Sequence, residues 1–517
     1  MAPRSEPAVF VRDAPIAVDR TETIDELRAT LARIGYTGEA VRGTLGDDAY
    51  QARERDVPAQ LRRLRAGTPV ETAIRLFFLG APVSRGQATD ALAPLRVDDL
   101  ERLGVVAAAD DGLRATVRLV PHAELLLAGS RYPDERPDGA PADYVATVTA
   151  PSAILASLTV RRPARTALDV GTGSGVQALW AARHCERVVA VDVNPRALNL
   201  AAFNARLNGV DNIEFREGSL FEPVAGERFD RIVCNAPYVV SPDARYAYRD
   251  SGVPADGFSE RLVRETPDHL EENGFAHLLV GWILRGDDWA SRPREWVEGG
   301  GCDCWLLLGV SRDPVTHAAV WNEELALDAG RYGETLDRWV GYLESLQADG
   351  VAEGAAILRR RSRGASWFRA DRIPTGRPAP ASDHVLRVFA AQDHLGELPA
   401  EDALLDETFA LAERVRIEQE LVCRDGGYVV EGMTVVLDEG IGFRAGIDQN
   451  TASLLPLLDG ERTLQEAISA AIRARRLDDR DVQPFTAGAL RIARTMLELG
   501  FLVGRPDGGG EVDPLTD

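Results

Sequence analysis

Three glycines, Gly171, Gly173 and Gly175, follow an apolar segment that is typical of a buried strand. A helical segment comes next, and a second apolar segment ends at Asp192. Glycines permit positive φ and let a ligand approach the backbone closely. An acidic residue at the tip of the next strand can accept both hydroxyls of a ribose. The pattern therefore predicts a nucleotide-binding strand–helix–strand unit, with the ligand at the carboxyl ends of parallel strands.

The tetrad Asn235-Ala236-Pro237-Tyr238 follows another apolar run, Phe229 to Cys234. The side-chain oxygen of Asn235 and the backbone carbonyl of residue 236 can each accept one N–H of a planar nitrogen. Such contacts free the nitrogen lone pair and stabilise the positive charge that develops on nitrogen. The ring of Tyr238 offers a face on which a planar group can stack. We expect these four residues to form the catalytic loop.

These motifs carry a resemblance to a known family. The spacing G-x-G-x-G after Asp169 differs from the dinucleotide fingerprint and resembles the first motif of class I methyltransferases that use S-adenosyl-L-methionine. The tetrad resembles the Asn-Pro-Pro-Tyr box of amino-methyltransferases, and residues 165–282 are most similar to the "small" and HemK-like methyltransferases. The resemblance implies this cofactor, transfer of a methyl group to nitrogen, and no metal. The cofactor-binding residues that it implies are Asp169, Gly171, Thr172, Gly173, Gly175, Asp192, Val193, Ser219, Leu220 and Asn235.

Two positions depart from the family pattern. Ala236 stands where the family usually has proline, and Ser219 stands where related enzymes often carry an aspartate near the adenine amino group. Alanine keeps the carbonyl but adds an N–H and loses rigidity, while serine still offers a neutral hydrogen-bonding group. In HemK-like enzymes the loop after the box helps to shape the acceptor site, and here that loop carries Tyr246, Tyr248, Arg249, Asp250 and Asp256.

Alternating short strands and helices place these motifs in an α/β domain over residues 145–375. We expect a Rossmann-like, seven-stranded methyltransferase sheet with a helical insertion near residues 317–350. Residues 1–140 are predicted to form an N-terminal, mostly helical, winged-helix-like domain. Residues 380–517 are predicted to form a C-terminal α+β winged-helix-like domain that resembles PqqD-like modules. In this third unit we expect a helix over residues 401–421 and a capping box between Thr463 and Glu466.

Charge and composition limit the acceptor and the compartment. The net charge of −22 and the isoelectric point near 4.9 disfavour a nucleic-acid partner. The sequence shows no apolar stretch long enough to cross a membrane and no signal-peptide pattern near its start, so we expect a cytoplasmic protein. A protein, a peptide or a small molecule is the expected methyl acceptor. Two alternatives stay open: N-methylation of a tRNA or rRNA base, and a catalytically impaired regulator that binds peptides.

Overall fold

The computed structural model describes residues 15–51, 53–131, 142–243, 252–326, 328–362, 364–374, 378–424 and 426–504. These residues divide into two compact units. The larger unit extends to Arg372, apart from residues 157–160, and the smaller unit consists of residues 157–160 together with the chain from Ile373 onward. Within the described part of the chain, no helix is both long and apolar enough to span a bilayer.

The larger unit begins with short helices that are followed by two β-hairpins. The helices are α1 (Thr21–Arg33), α2 (Gly38–Leu45), α3 (Val57–Leu61), α4 (Pro69–Ala73), α5 (Arg85–Leu92) and α6 (Val97–Leu103). The hairpins pair β1 (Val106–Ala109) with β2 (Gly112–Ala115), and β3 (Arg118–His122) with β4 (Leu125–Gly129). A buried apolar core holds the helices together, and the Tyr36 hydroxyl donates to the Leu119 carbonyl at 2.7 Å. The winged-helix description of this region stays a prediction.

A mixed sheet of eight strands forms the centre of the larger unit. The strands are β5 (Ala164–Val170), β6 (Cys185–Asp192), β7 (Ile213–Glu217), β8 (Phe229–Cys234), β9 (Leu270–Leu284), β10 (Cys302–Arg312), β11 (Gly350–Arg360) and β12 (Phe368–Arg372). Their order is β12-β10-β11-β9-β8-β5-β6-β7, and β11 alone runs antiparallel to both of its neighbours. The Rossmann-like sheet is therefore confirmed, with β5 to β9 all parallel.

The sheet has one strand more than the seven expected. The additional strand β12 pairs in parallel with β10 at the edge of the sheet. Its five residues have mixed polarity and show no apolar pattern. Side chains fix the strand instead: the Trp305 indole donates to Asp371 at 2.8 Å, and the Trp367 N–H donates to Asp303 at 3.1 Å.

Helices connect the strands and cover the sheet. They are α7 (Ala150–Leu158), α8 (Val176–Ala181), α9 (Pro195–Leu207), α10 (Gly257–Glu265), α11 (Ser291–Val297), α12 (Pro314–Trp321) and α13 (Ala329–Ser345). Helix α9 begins where the Asn194 side chain accepts a hydrogen bond from the Arg196 N–H, which is a common N-terminal cap. From the same helix, Asn204 donates to the carbonyls of Ala128 and Ser174, so it joins hairpin β3–β4 to the glycine loop.

The smaller unit combines helices with two small sheets. Its elements are α14 (Ser382–Glu397), β13 (Thr408–Leu411), β14 (Val415–Arg424), β15 (Gly427–Leu437), β16 (Arg444–Gly446), α15 (Gln449–Leu454), β17 (Asp459–Thr463), α16 (Leu464–Arg475), α17 (Asp479–Glu498) and β18 (Leu502–Gly504). The capping box is confirmed, because Thr463 accepts from the Glu466 N–H and Glu466 accepts from the Thr463 N–H. The winged-helix description of this unit stays a prediction.

The helix expected over residues 401–421 is wrong. That segment contains a short 3-10 turn (Glu401–Asp406), strand β13 and most of strand β14. Strand β14 pairs antiparallel with β15 along its whole length. The long ladder of backbone hydrogen bonds with the next strand, β15, outweighs the local helix propensity of the acidic residues.

Candidate active site

The predicted site residues meet at one edge of the sheet. Strands β5 to β8 are parallel, so their carboxyl ends lie together. Gly171 begins the loop after β5, Asp192 ends β6, Gly218 follows β7, and Asn235 follows β8. In open α/β sheets this edge is where ligands bind.

The glycine loop needs its glycines for two different reasons. Gly171, Gly173 and Gly175 all have positive φ, between +55° and +83°, which side chains with a Cβ rarely adopt. A Cβ on Gly171 would also lie 3.0 Å from the Cβ of Ala236, so the loop packs directly against the Asn235 tetrad. A Cβ on Gly173 would meet no protein atom within 4 Å. The loop is therefore closed toward the tetrad and open at Gly173, where a ligand has room.

Asp169 stabilises the glycine loop through two hydrogen bonds. Its Oδ2 accepts hydrogen bonds from the Thr172 hydroxyl at 2.7 Å and from the Ala178 N–H at 3.0 Å. Burial raises the pKa of the Asp169 carboxyl to about 7, although both hydrogen bonds oppose that rise. Asp169 thus connects strand, loop and helix α8, and its contact with a cofactor stays a prediction.

Asp192 ties the loop to the tip of strand β6. Its Oδ2 accepts from the Gly173 N–H at 2.8 Å, and its Oδ1 accepts from the Asn194 N–H at 2.9 Å. Each carboxylate oxygen has a further lone pair for a hydroxyl donor. Burial raises the pKa of Asp192, opposed by these backbone hydrogen bonds. The neighbouring Val193 is 45% exposed, which is unusual for a large apolar side chain. A flat ring such as adenine could cover this side chain.

The segment that follows strand β7 forms the other side of the predicted cofactor site. The Gly218 N–H donates to the Asp192 carbonyl at 3.0 Å, which brings Ser219 and Leu220 next to the tip of β6. Leu220 has a φ of +48° and is nearly buried. A non-glycine residue in this strained region often marks a functional site. Exposed Val193, a free side of Gly173 and the Asp192 oxygens together fit the adenosine part of S-adenosyl-L-methionine.

A serine that the sequence did not single out holds the predicted catalytic asparagine. The Asn235 Nδ2 donates to the Ser152 hydroxyl at 3.0 Å, and that hydroxyl lies 2.9 Å from the Thr149 hydroxyl. No described residue donates to Asn235 Oδ1, so this oxygen can accept a hydrogen bond from an N–H group of the methyl-acceptor substrate. Proline and serine near the start of α7 indicate a helix start, but they do not indicate a contact with a residue 83 positions away.

Tyr238 lies over a glycine of strand β9. A Cβ on Gly281 would lie 2.4 Å from the Tyr238 carbonyl oxygen and 3.4 Å from its ring atom Cδ2. Burial raises the pKa of the Tyr238 hydroxyl well above its ordinary value; the negative charge of Glu353 raises it further, and Arg312 lowers it. A glycine inside a strand pattern is a sequence signal for such a close approach.

The chain beyond the tetrad is held by the helical insertion. The Trp339 indole donates to Asp243 at 3.0 Å, and the Tyr342 hydroxyl accepts from the Ala255 N–H at 2.7 Å. The carboxylate of Asp256 is buried in a two-point ion pair with Arg292, and its contact with substrate stays a prediction. The other residues expected to contact substrate, Tyr246, Tyr248, Arg249 and Asp250, lie outside the described residues.

Comparison with known proteins identifies the central region. Residues 146–280 match the family described as the methyltransferase small domain. Residues 33–116 and 387–504 match two families that are each described as a domain of unknown function.

Similar proteins cover only part of the chain. Release factor glutamine methyltransferase of Aliivibrio fischeri is 34% identical over 148 residues, which are 28% of this chain and 45% of the relative. Ribosomal protein uL3 glutamine methyltransferase of Bradyrhizobium diazoefficiens is 36% identical over 146 residues, which are 25% of this chain and 46% of the relative. The chain thus spans about half the length of these relatives. A ribosomal protein L11 methylase of Lactobacillus delbrueckii has 20% identity, a TM-score of 0.22, and coverage of 39% of this chain and 72% of that one.

The sheet, the glycine loop and the family match define residues 146–280 as a class I methyltransferase domain that uses S-adenosyl-L-methionine. Within that class, this domain is similar to the HemK-like glutamine methyltransferases described above.

Proposed function

We propose that this protein methylates the side-chain amide nitrogen of a glutamine in a protein acceptor. The observation that carries the proposal is the orientation of Asn235. Its Nδ2 is occupied by Ser152, and its Oδ1 is left for an acceptor N–H. A primary amide has two N–H groups. Asn235 Oδ1 and the backbone carbonyl of Ala236 can each accept a hydrogen bond from one of them.

The cofactor side is assigned to residues at the ends of β5, β6 and β7. Asp192 would accept the ribose hydroxyls, and Val193 and Leu220 would lie against the adenine ring. Bound S-adenosyl-L-methionine supplies an electrophilic methyl group on a sulfonium. The glycine loop brings this cofactor pocket against Ala236, because Gly171 and Ala236 are in contact. Cofactor and acceptor are thereby held in adjacent pockets, and such positioning contributes a large part of the acceleration of a two-substrate reaction.

The acceptor side makes the amide nitrogen reactive. In a free amide the nitrogen lone pair is delocalised toward the carbonyl. Two hydrogen-bond acceptors that are fixed beside the nitrogen favour the form with a localised lone pair, and they stabilise the positive charge that follows attack. As the nitrogen takes the methyl group, the methyl–sulfur bond would break and S-adenosylhomocysteine would leave. The nitrogen then releases one of its two protons to water, so that a secondary amide is formed. The ring of Tyr238, fixed over Gly281, offers the planar amide a stacking face.

The relatives support a protein acceptor. The names of the two that are described above specify glutamine in a release factor and in ribosomal protein uL3. The strongly acidic character of the chain also suits a protein better than a nucleic acid.

Labelled cofactor tests the proposal. Purified protein is incubated with S-adenosyl-L-methionine carrying a tritiated methyl group and with an extract of cells that lack the gene. We expect label in the protein fraction, recovered as N5-methylglutamine after proteolytic digestion, since acid would hydrolyse the amide. Label confined to RNA, DNA or small molecules, or no label above that of an Asn235→Ala control, contradicts the proposal.

A further inference from the structure

A glutamate of strand β11 lies next to Tyr238 of the predicted catalytic loop. Glu353 is directly opposite Gly281 in the antiparallel pairing of β11 with β9. Directly opposite residues of such a pair carry their side chains on the same face of the sheet. Gly281 has no side chain, and Tyr238 occupies that space. The Glu353 carboxylate therefore stands beside Tyr238, and its charge contributes to the raised pKa of that residue.

Among the residues that the structure describes, only one oxygen of this carboxylate accepts hydrogen bonds. Glu353 Oε1 accepts from Arg312 at 3.0 Å and from the Trp321 indole at 2.9 Å. His317 makes no hydrogen bond to it, because its Nε2 contacts the Val240 carbonyl at 3.0 Å and its Nδ1 lies 3.8 Å from Oε1, beyond hydrogen-bond distance. Among the described residues, none donates to Glu353 Oε2. The side chain is 13% exposed, so Oε2 belongs to a carboxylate that is largely withdrawn from water.

A carboxylate in this position selects its partner by charge. Hydrogen bonds to charged groups stabilise more than neutral ones do, and a largely buried carboxylate gains most from a cationic N–H donor. A phosphate or a second carboxylate at the same place would be repelled. The charge of Arg312, which is paired with Oε1, reduces this preference. Oε2 can still accept an N–H, which a phosphate or a carboxylate cannot donate.

We propose that Glu353 is a specificity-determining residue, which accepts an N–H from a basic side chain that flanks the methylated glutamine. This inference rests on the proposed function and deepens it. The acceptor is then a peptide segment in which an arginine or a lysine lies close to the glutamine, held by Glu353 while Asn235 and Tyr238 hold the amide.

Glutamine peptides of matched length test this directly. The probes carry arginine, its neutral isostere citrulline, or glutamate next to a single glutamine, and methyl transfer is measured for the native protein and for Glu353→Gln. We expect the native protein to prefer the arginine probe over the citrulline probe by about tenfold in kcat/KM, as one charge-assisted hydrogen bond predicts. In Glu353→Gln that preference is expected to fall below about twofold.

Three further measurements make the result decisive. Glu344→Gln, at an exposed glutamate of α13, is the matched control and should keep the preference. Glu353→Asp keeps the charge and should retain part of it. Binding of S-adenosylhomocysteine, measured by calorimetry, should be equal in all variants and shows that each one is folded.

Two results overturn the inference while the proposed function stands. One is a Glu353→Gln variant that prefers arginine as strongly as the native protein does. The other is a native protein that shows no arginine preference, or methylates none of the peptides, although it still labels extract proteins on glutamine. Failure to label any protein in the extract is instead the failure of the proposed function, and this inference falls with it.

Discussion

The cofactor side of the site lies within some fifty consecutive residues, whereas the acceptor side is collected from more than two hundred. The cofactor side comprises Asp169, the loop at residues 171–175, Asp192, Val193, Ser219 and Leu220. The acceptor side comprises Ser152, residues 235–238, Gly281, Arg312 and Glu353. Backbone N–H groups make many of the connections on the cofactor side. Side chains from separate strands and helices make them on the acceptor side.

This difference indicates how the two sides can vary. A pocket made by backbone groups and glycines tolerates few changes, because φ angles and close contacts fix it. A pocket made by distant side chains can change its ligand through a single substitution while the sheet stays intact. We therefore expect substitutions on one side to leave the function of the other side nearly unchanged.

The largest expected effect is on the acceptor side. Asn235→Ala removes the hydrogen-bond acceptor for the amide, and we expect kcat to fall by about 10²–10³-fold, as for other groups that stabilise developing charge. Affinity for S-adenosylhomocysteine, measured by calorimetry, should stay within a few-fold. Asn450→Ala, at an exposed position of the smaller unit, is the control. Normal turnover by Asn235→Ala would remove the catalytic role assigned to Asn235.

The matching change on the cofactor side is Asp192→Ala. Loss of hydrogen bonds to a charged acceptor predicts about 10–100-fold weaker cofactor binding. Asp211→Ala, an exposed aspartate just before strand β7, should bind normally. Because Asp192 also accepts from Gly173 and Asn194, Asp192→Asn serves as a milder variant that keeps an acceptor oxygen. Unchanged calorimetric affinity in both variants would contradict the ribose assignment.

A smaller effect is expected from Ser152→Ala, which leaves Asn235 in place but frees its Nδ2. Loss of one neutral hydrogen bond predicts about a fivefold to tenfold fall in kcat. KM for the acceptor should change less than kcat, and cofactor affinity should not change, which separates a positioning role from general damage to the fold. Ser157→Ala on the same helix is the control. A uniform loss of stability with unchanged kcat would show that Ser152 is only structural.

The smallest expected effect belongs to Ala236→Pro, which restores the family residue. The carbonyl of residue 236 is kept, and the change removes a weak contact of the Ala236 N–H with the Cys234 thiol. We expect kcat to change by less than about threefold, since the loss is a single weak hydrogen bond. Steady-state kinetics with the same acceptor measure it. A large gain in kcat would show that alanine had relaxed the catalytic loop.

The central strands of the methyltransferase sheet could be predicted from the sequence, whereas the edge strand β12 and part of the smaller unit could not. The parallel strands β5, β6, β8 and β9 were predictable because buried strands of such a sheet contain continuous apolar runs. The edge strand β12 was not predictable, since hydrogen bonds of Trp305 and Trp367 to distant aspartates hold it. In the smaller unit, the expected helix over residues 401–421 failed because pairing of β14 with β15 outweighed local propensity.

The sequence by itself determined the methyltransferase sheet, the cofactor loop and the tetrad, because each is encoded by neighbouring residues whose backbone conformation and spacing are set locally. Only the tertiary structure decided which way Asn235 is turned, what lies under Tyr238 and which charge stands beside it. Ser152, Gly281 and Glu353 contribute to these features from separate elements. Contacts between residues so far apart follow from the order and register of the strands, which local patterns do not specify.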